Sequence, residues 1–251
     1  MNNQELINNI RNNVKNYWEN NNIKTFNKSK PKINLHEPTF GVDEVMSMVE
    51  VMLSTNVTMG DKVLEFEDGI SRYFNVAESV TNNSGSSANL LALSSFKFKK
   101  GYEIITPNLT FSTTVAPIYQ LGLIPHFIDV DKNNFVANIQ QIVKAINKKT
   151  KAIIIPNLLG NVPDWKKIHK ISKKYDLKII EDSADTIGYK LYQSNFGNFS
   201  DITTNSMYAS HIITGAGFGG MVCFNDKKLY EQAKLLRGWG RSSAIFNESE
   251  G

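Results

Sequence analysis

The chain has 251 residues, 41% hydrophobic and 21% charged, which suits one large domain or two small ones with a core that needs no covalent staples. Lys and Arg outnumber Asp and Glu by 28 to 24, and the net charge of +4 is scattered along the chain, which argues against a nucleic-acid-binding face. Cys223 is the single cysteine, excluding a disulfide framework or a multi-cysteine zinc site, and with no secretory core and no apolar run of roughly 18 residues the sequence reads as a soluble, cytoplasmic protein without membrane contact.

Residues 1–33 read as a helical appendage. Leu6, Ile10, Val14, Tyr17 and Trp18 recur there at near-helical spacing in an Asn-rich stretch, and 25–32 reads as a linker. Because Asn is a poor helix former, this helix depends on docking. Helical periodicity returns at 42–53 (Val42, Val45, Met46, Val49, Met52) and at 63–74 (Val63, Phe66, Ile70, Phe74), with Asp61 placed to cap the second. Beyond about residue 76 the rhythm changes. Short apolar runs at 77–81, 103–106, 124–129, 152–156, 178–181, 201–206 and 221–224 predict strands. Helical patterns at 87–96, 112–120, 139–146, 165–174 and 227–237 predict the connections and a closing helix. Apolar strands alternating with helices indicate an α/β fold with a mostly parallel seven-stranded sheet flanked by helices. Ligands of such sheets sit at the carboxyl ends of the strands.

Three of those ends carry chemistry. Asn83-Ser84-Gly85-Ser86-Ser87-Ala88 opens a helix with small residues, which suits either a plain serine cap or a phosphate held on free amides. Glu181-Asp182-Ser183-Ala184-Asp185 places three carboxylates after a strand. They form a solvated acidic loop, or else something positive faces them, such as the protonated ring nitrogen of a bound cofactor. Ser206-Met207-Tyr208-Ala209-Ser210-His211 leads into a glycine-dense turn that lets backbone approach closely, which favours a chemical role for His211. The stretch 215–220 matches G-x-G-x-x-G, but a strand rather than a helix follows it, so it is no dinucleotide site. His36, His126 and His169 have no ligand spacing and read as structural or solvent-facing.

In their order these segments resemble the DegT/DnrJ/StrS family of sugar aminotransferases, which have the fold-type I fold of pyridoxal-phosphate (PLP) enzymes. The matching pieces are Ser84-Gly85-Ser86-Ser87-Ala88, Thr106-Pro107-Asn108-Leu109-Thr110-Phe111, Glu181–Asp185, Gly197-Asn198-Phe199-Ser200-Asp201 after Phe196, Ser206–His211, Gly219-Gly220 and Leu236-Arg237-Gly238-Trp239. The resemblance implies a PLP/PMP-binding large domain over 34–241 and, at 242–251, the start of a smaller C-terminal domain that the chain lacks. It also implies roles. Asp182 pairs with the cofactor's ring nitrogen and Phe111 stacks on the ring. Gly85, Ser86 and Ser206 hold its phosphate, and Asp185 lies near its phenolic oxygen.

One departure carries the functional expectation. Five positions after the serine matching Ser206, the aminotransferases have the lysine that tethers the cofactor covalently, and here His211 stands. Imidazole cannot make that bond, yet it carries protons well near neutral pH. In this family the exchange marks the 3-dehydratases of nucleotide-linked 4-keto-6-deoxyhexoses, lyases used in making the 3,6-dideoxyhexoses of lipopolysaccharide O-antigens. The implied cofactor is PLP or pyridoxamine phosphate (PMP), with glutamate as amino donor and a homodimer as the assembly. Ala184, Ser242 and Ser243 occupy positions where one branch has cysteines, so no iron–sulfur cluster is expected. The alternatives are a nucleotide-sugar aminotransferase and an inactive, truncated cofactor-binding domain. Gly238 replaces an Asn with which aminotransferases reach a neighbouring subunit, so that contact is not expected.

Overall fold

The computed structural model describes residues 2–22, 26–34, 40–191, 194–195 and 197–243. His36, Phe196 and the 244–251 part of the expected small-domain start lie outside them. The chain divides between Leu64 and Glu65 into two compact units. The first holds α1 (Asn3–Asn21) and α2 (Val42–Ser54). α1 forms despite its asparagines because Asn2 and Glu5 make reciprocal side-chain-to-backbone bonds at 2.9 and 2.8 Å, satisfying two amides that the first turn leaves without partners. Arg11 of α1 reaches Asp43 of α2 at 2.6 Å. α3 (Asp61–Phe74) runs across the division.

The second unit contains the predicted sheet. Its strands are β1 (Glu78–Asn82), β2 (Glu103–Pro107), β3 (Ile124–Ile128), β4 (Thr150–Pro156), β5 (Lys178–Asp182), β8 (Ile202–Ser206) and β9 (Gly220–Phe224). A hairpin of two-residue strands, β6 (Lys190–Leu191) and β7 (Ser194–Asn195), lies apart from it. The order is β1-β9-β8-β5-β4-β2-β3. β8, β5, β4, β2 and β3 pair parallel, and β9 runs antiparallel between β8 and β1.

The helices are α4 (Gly85–Ser95), α5 (Ser112–Gln120), α6 (Ile139–Ala145), α7 (Trp165–Tyr175) and α8 (Lys227–Arg237). Strand alternation divides the core between the two faces of the sheet. Ile104, Ile154, Ile180, Ile202 and Val222 pack with Ala88, Ala92 and Leu93 of α4, Ile118 of α5 and Ala233 of α8. Ile105, Ile153, Ile155 and Ile179 pack with Ile142 of α6 and Trp165 and Ile168 of α7. Each fully buried isoleucine contributes about 1.5–3 kcal/mol. This two-sided burial explains why the central strands read as unbroken apolar runs. It also leaves the carboxyl edge of the sheet, where β5 and β8 end beside the first turns of α4 and α5, as the place where polar groups converge.

Candidate active site

A cavity of about 810 Å³ opens at that edge. Gly85, Ser86, Phe111, Asp182, Asp185, Ser206 and His211, the seven residues singled out in the sequence, all line it. No lysine is among the described residues that do.

The end of the cavity at α4 is built by close approach. Ser84 caps the helix, its hydroxyl accepting from the Ser87 amide at 3.1 Å, so the capping role and an amide-lined turn coexist in one segment. A Cβ on Gly85 would stand 2.5 Å from the Cβ of Ser206. Only glycine therefore lets the first turn of α4 rest against the end of β8. Gly220 likewise passes beside the Ser84 carbonyl, where any side chain would collide with it. The opening amides of α4, the Ser86 hydroxyl and the Ser206 hydroxyl gather at the positive end of the helix dipole, an arrangement suited to a phosphate.

The three carboxylates do not form one acidic cluster, because adjacent residues on a strand face opposite ways. Glu181 turns away from the cavity and is fully buried. It accepts from Tyr189 Oη at 2.7 Å, Ser183 Oγ at 2.8 Å and Asn157 Nδ2 at 2.9 Å. Asn157 is itself fixed by Trp165 Nε1 at 2.8 Å. Burial pushes the Glu181 carboxyl above its usual range.

Asp182 faces the cavity and is 6% exposed. Burial raises its carboxyl too, and hydrogen bonds from Thr114, Asn89 and the Ala184 amide work against that rise. A buried carboxylate at a cavity wall is best satisfied by a cation with a hydrogen to give. Asp185 is exposed and accepts from the Leu159 amide at 3.2 Å.

His211 lies in a turn held by the Met207–Gly219 and Gly215–Met207 backbone bonds, each 2.9 Å. Its Nε2 stands 3.7 Å from Asp185 Oδ1, while Nδ1 is buried without a hydrogen-bond partner. An imidazole on the cavity wall near a carboxylate can accept or deliver a proton there. Phe111 sits at the head of α5 and is 70% exposed, a broad apolar face beside the Asp182 wall. The set can thus hold an anion on the first turn of α4, a protonated flat ring against Asp182 and a proton on the imidazole. These features fit a phosphorylated pyridine cofactor.

His126 and His169 lie apart from this cavity. His126 meets Glu103 at 3.3 Å, and His169 meets the Phe199 carbonyl at 2.8 Å. The sequence reading missed Asn89, Thr114 and Asn157. The available signal was an Asn amid Ala and Leu on a helix buried on most sides, which calls for a polar partner.

The profile of the DegT/DnrJ/EryC1/StrS aminotransferase family matches residues 38–250. The GDP-4-keto-6-deoxy-D-mannose 3-dehydratase of Yersinia pseudotuberculosis is 35% identical over 86% of this chain and 57% of its own length. Lipopolysaccharide biosynthesis protein RfbH of Salmonella typhimurium is 38% identical over 80% of this chain and 48% of its own. A solved GDP-4-keto-6-deoxymannose-3-dehydratase with a trapped PLP-glutamate geminal diamine superposes with a TM-score of 0.79 at 31% identity. It covers 83% of this chain and 55% of the other. The chain spans about half the length of the curated relatives it matches.

Proposed function

The chain belongs to the DegT/DnrJ/EryC1/StrS aminotransferase family, and from that premise we propose that it acts in the PLP/PMP-dependent 3-dehydration of a nucleotide-linked 4-keto-6-deoxyhexose. The observation that carries the reading is His211, with no lysine among the described residues of the cavity it shares with Asp182 and Asp185. When bound, the cofactor supplies an amine for the sugar's keto group and a ring that accepts an electron pair. Asp182 keeps the ring nitrogen protonated, while Gly85, Ser86 and Ser206 hold the phosphate and Phe111 covers the ring. His211 moves the proton whose removal releases the hydroxyl at carbon 3, and Asp185, whose Oδ1 stands 3.7 Å from the imidazole Nε2, lies near the cofactor's phenolic oxygen. A lysine would bind the cofactor covalently and favour return of an amino sugar; an imidazole leaves the amine on the cofactor.

The relatives' names make a GDP-linked hexose the first substrate to try, with lipopolysaccharide sugars as the destination and the cytoplasm as the place. Glutamate is the donor that restores the amine. The rim residues Leu159 and Phe218 are 75 and 71% exposed, an apolar border of the kind that a second copy in a homodimer covers. Incubation with PMP, glutamate and GDP-4-keto-6-deoxymannose should give a 3-deoxy sugar and 2-oxoglutarate. Recovery of the 4-amino sugar alone would reject dehydration in favour of transamination.

A further inference from the structure

Asp182 meets the cavity with one oxygen already committed. Oδ2 accepts from Asn89 Nδ2 and from Thr114 Oγ1, each at 2.8 Å. Oδ1 receives the longer bond from the Ala184 amide, at 3.2 Å. A carboxylate oxygen has about two lone-pair sites, so Oδ2 is filled and Oδ1 keeps one free.

The sense of these bonds is fixed by what lies behind them. Thr204 Oγ1 donates to Asn89 Oδ1 at 2.6 Å, and Asn89 Nδ2 also donates to the Thr113 carbonyl at 3.2 Å. Flipping the amide would press its oxygen against a carbonyl and a carboxylate, so the orientation is unambiguous. Thr110 Oγ1 donates to Thr114 Oγ1 at 2.8 Å, which leaves the Thr114 hydrogen for Asp182. Both relays therefore deliver hydrogens toward the carboxylate, and donors of this kind favour its charged form. Their members also sit on the elements that build the rest of the cavity. Asn89 lies one turn beyond Gly85 and Ser86 on α4, Thr114 follows Phe111 on α5, and Thr204 precedes Ser206 on β8.

We propose that Asn89 and Thr114 are positioning residues that turn Oδ1 of Asp182 toward the cofactor's ring nitrogen and keep the carboxylate anionic there, an inference that rests on the cofactor reading above. They act through Asp182 and register the ring's nitrogen against its phosphate and its stacking face.

The test titrates PLP into the protein and into Asn89→Leu, Thr114→Val, Thr114→Ser and Asp182→Asn variants, following the absorption spectrum of bound PLP across pH. Asn89→Leu and Thr114→Val should each weaken PLP binding by about tenfold. They should also move loss of the ring-protonated form to lower pH, as Asp182→Asn does. Thr114→Ser, which keeps the hydroxyl, should retain the parent profile, and adding Asn89→Leu to Asp182→Asn should cost little more. Thermal melts report folding; were Asn89→Leu unfolded, the Thr114 pair would decide alone. Parent-like affinity and pH profile in the folded Asn89→Leu and Thr114→Val proteins would overturn the inference. Failure of the unaltered protein to take up PLP would overturn the cofactor reading and this inference together.

Discussion

His211 has one nitrogen 3.7 Å from a carboxylate and the other buried without a hydrogen-bond partner among the described residues. His211→Asn removes the imidazole but keeps a polar side chain. It should lower the dehydration rate by about 100-fold or more while leaving PMP affinity within a few-fold. Single-turnover product formation and a separate PMP titration distinguish the two effects, and equal loss in both would assign His211 to binding instead. Gly85→Ala probes the phosphate cradle of the cavity. The added methyl meets Ser206 Cβ, so α4 must retreat from β8 and the phosphate cradle should open. PLP affinity should fall by about tenfold or more, read by fluorescence titration. At this scale the sequence was informative wherever a residue broke the expected pattern, as His211 did. It was silent about Thr114 and Asn157, whose types are ordinary and whose partners lie far away along the chain.

Among the elements, α3, β1 and α8 are tied together by a single polar knot. Arg237 pairs with Glu67, and Glu67 also accepts from the amide and hydroxyl of Thr81 at 2.7 Å. The Glu67 and Arg237 side chains are only 7 and 15% exposed. Arg237→Ala would leave a nearly buried carboxylate without its cation and should destabilise the fold by about 3–5 kcal/mol. Denaturant unfolding measures this, and a loss under about 1 kcal/mol would mean that the Thr81 bonds suffice. The strands were legible because burial on both faces writes an apolar run into the sequence, as in Ile153-Ile154-Ile155. The β6–β7 hairpin was not, because two-residue strands show no periodicity. The helix ends shifted by a residue or two, as for α4, which starts at Gly85 because Ser84 provides the cap.

For the molecule as a whole, the site is kept at some expense to stability. Burial raises Asp182 and Glu181 above ordinary carboxylate values, so each binds a proton more readily in the folded chain than in the unfolded one. The stability each contributes is complete below the unfolded value and declines as pH rises through the folded one. Asp182→Asn removes one of these two ionisations. The cofactor-free variant should melt above the parent at about pH 8, with the difference shrinking on acidification toward about pH 4. A variant that melts lower at every pH would show that the anion is already well satisfied without a ligand. The α/β sheet and the position of the cavity follow from the alternation of apolar runs and helices. The division at Leu64 and Glu65 does not, since α2 and α3 carry similar apolar stripes.

The account depends most on a cofactor held without a covalent bond to the protein. The direct measurement is borohydride reduction of the PLP-loaded protein followed by intact-mass and peptide mass spectrometry. The parent should keep its unmodified mass, and His211→Lys should acquire one pyridoxyl group at position 211. A stoichiometric pyridoxyl group on a lysine of the parent protein would contradict the account.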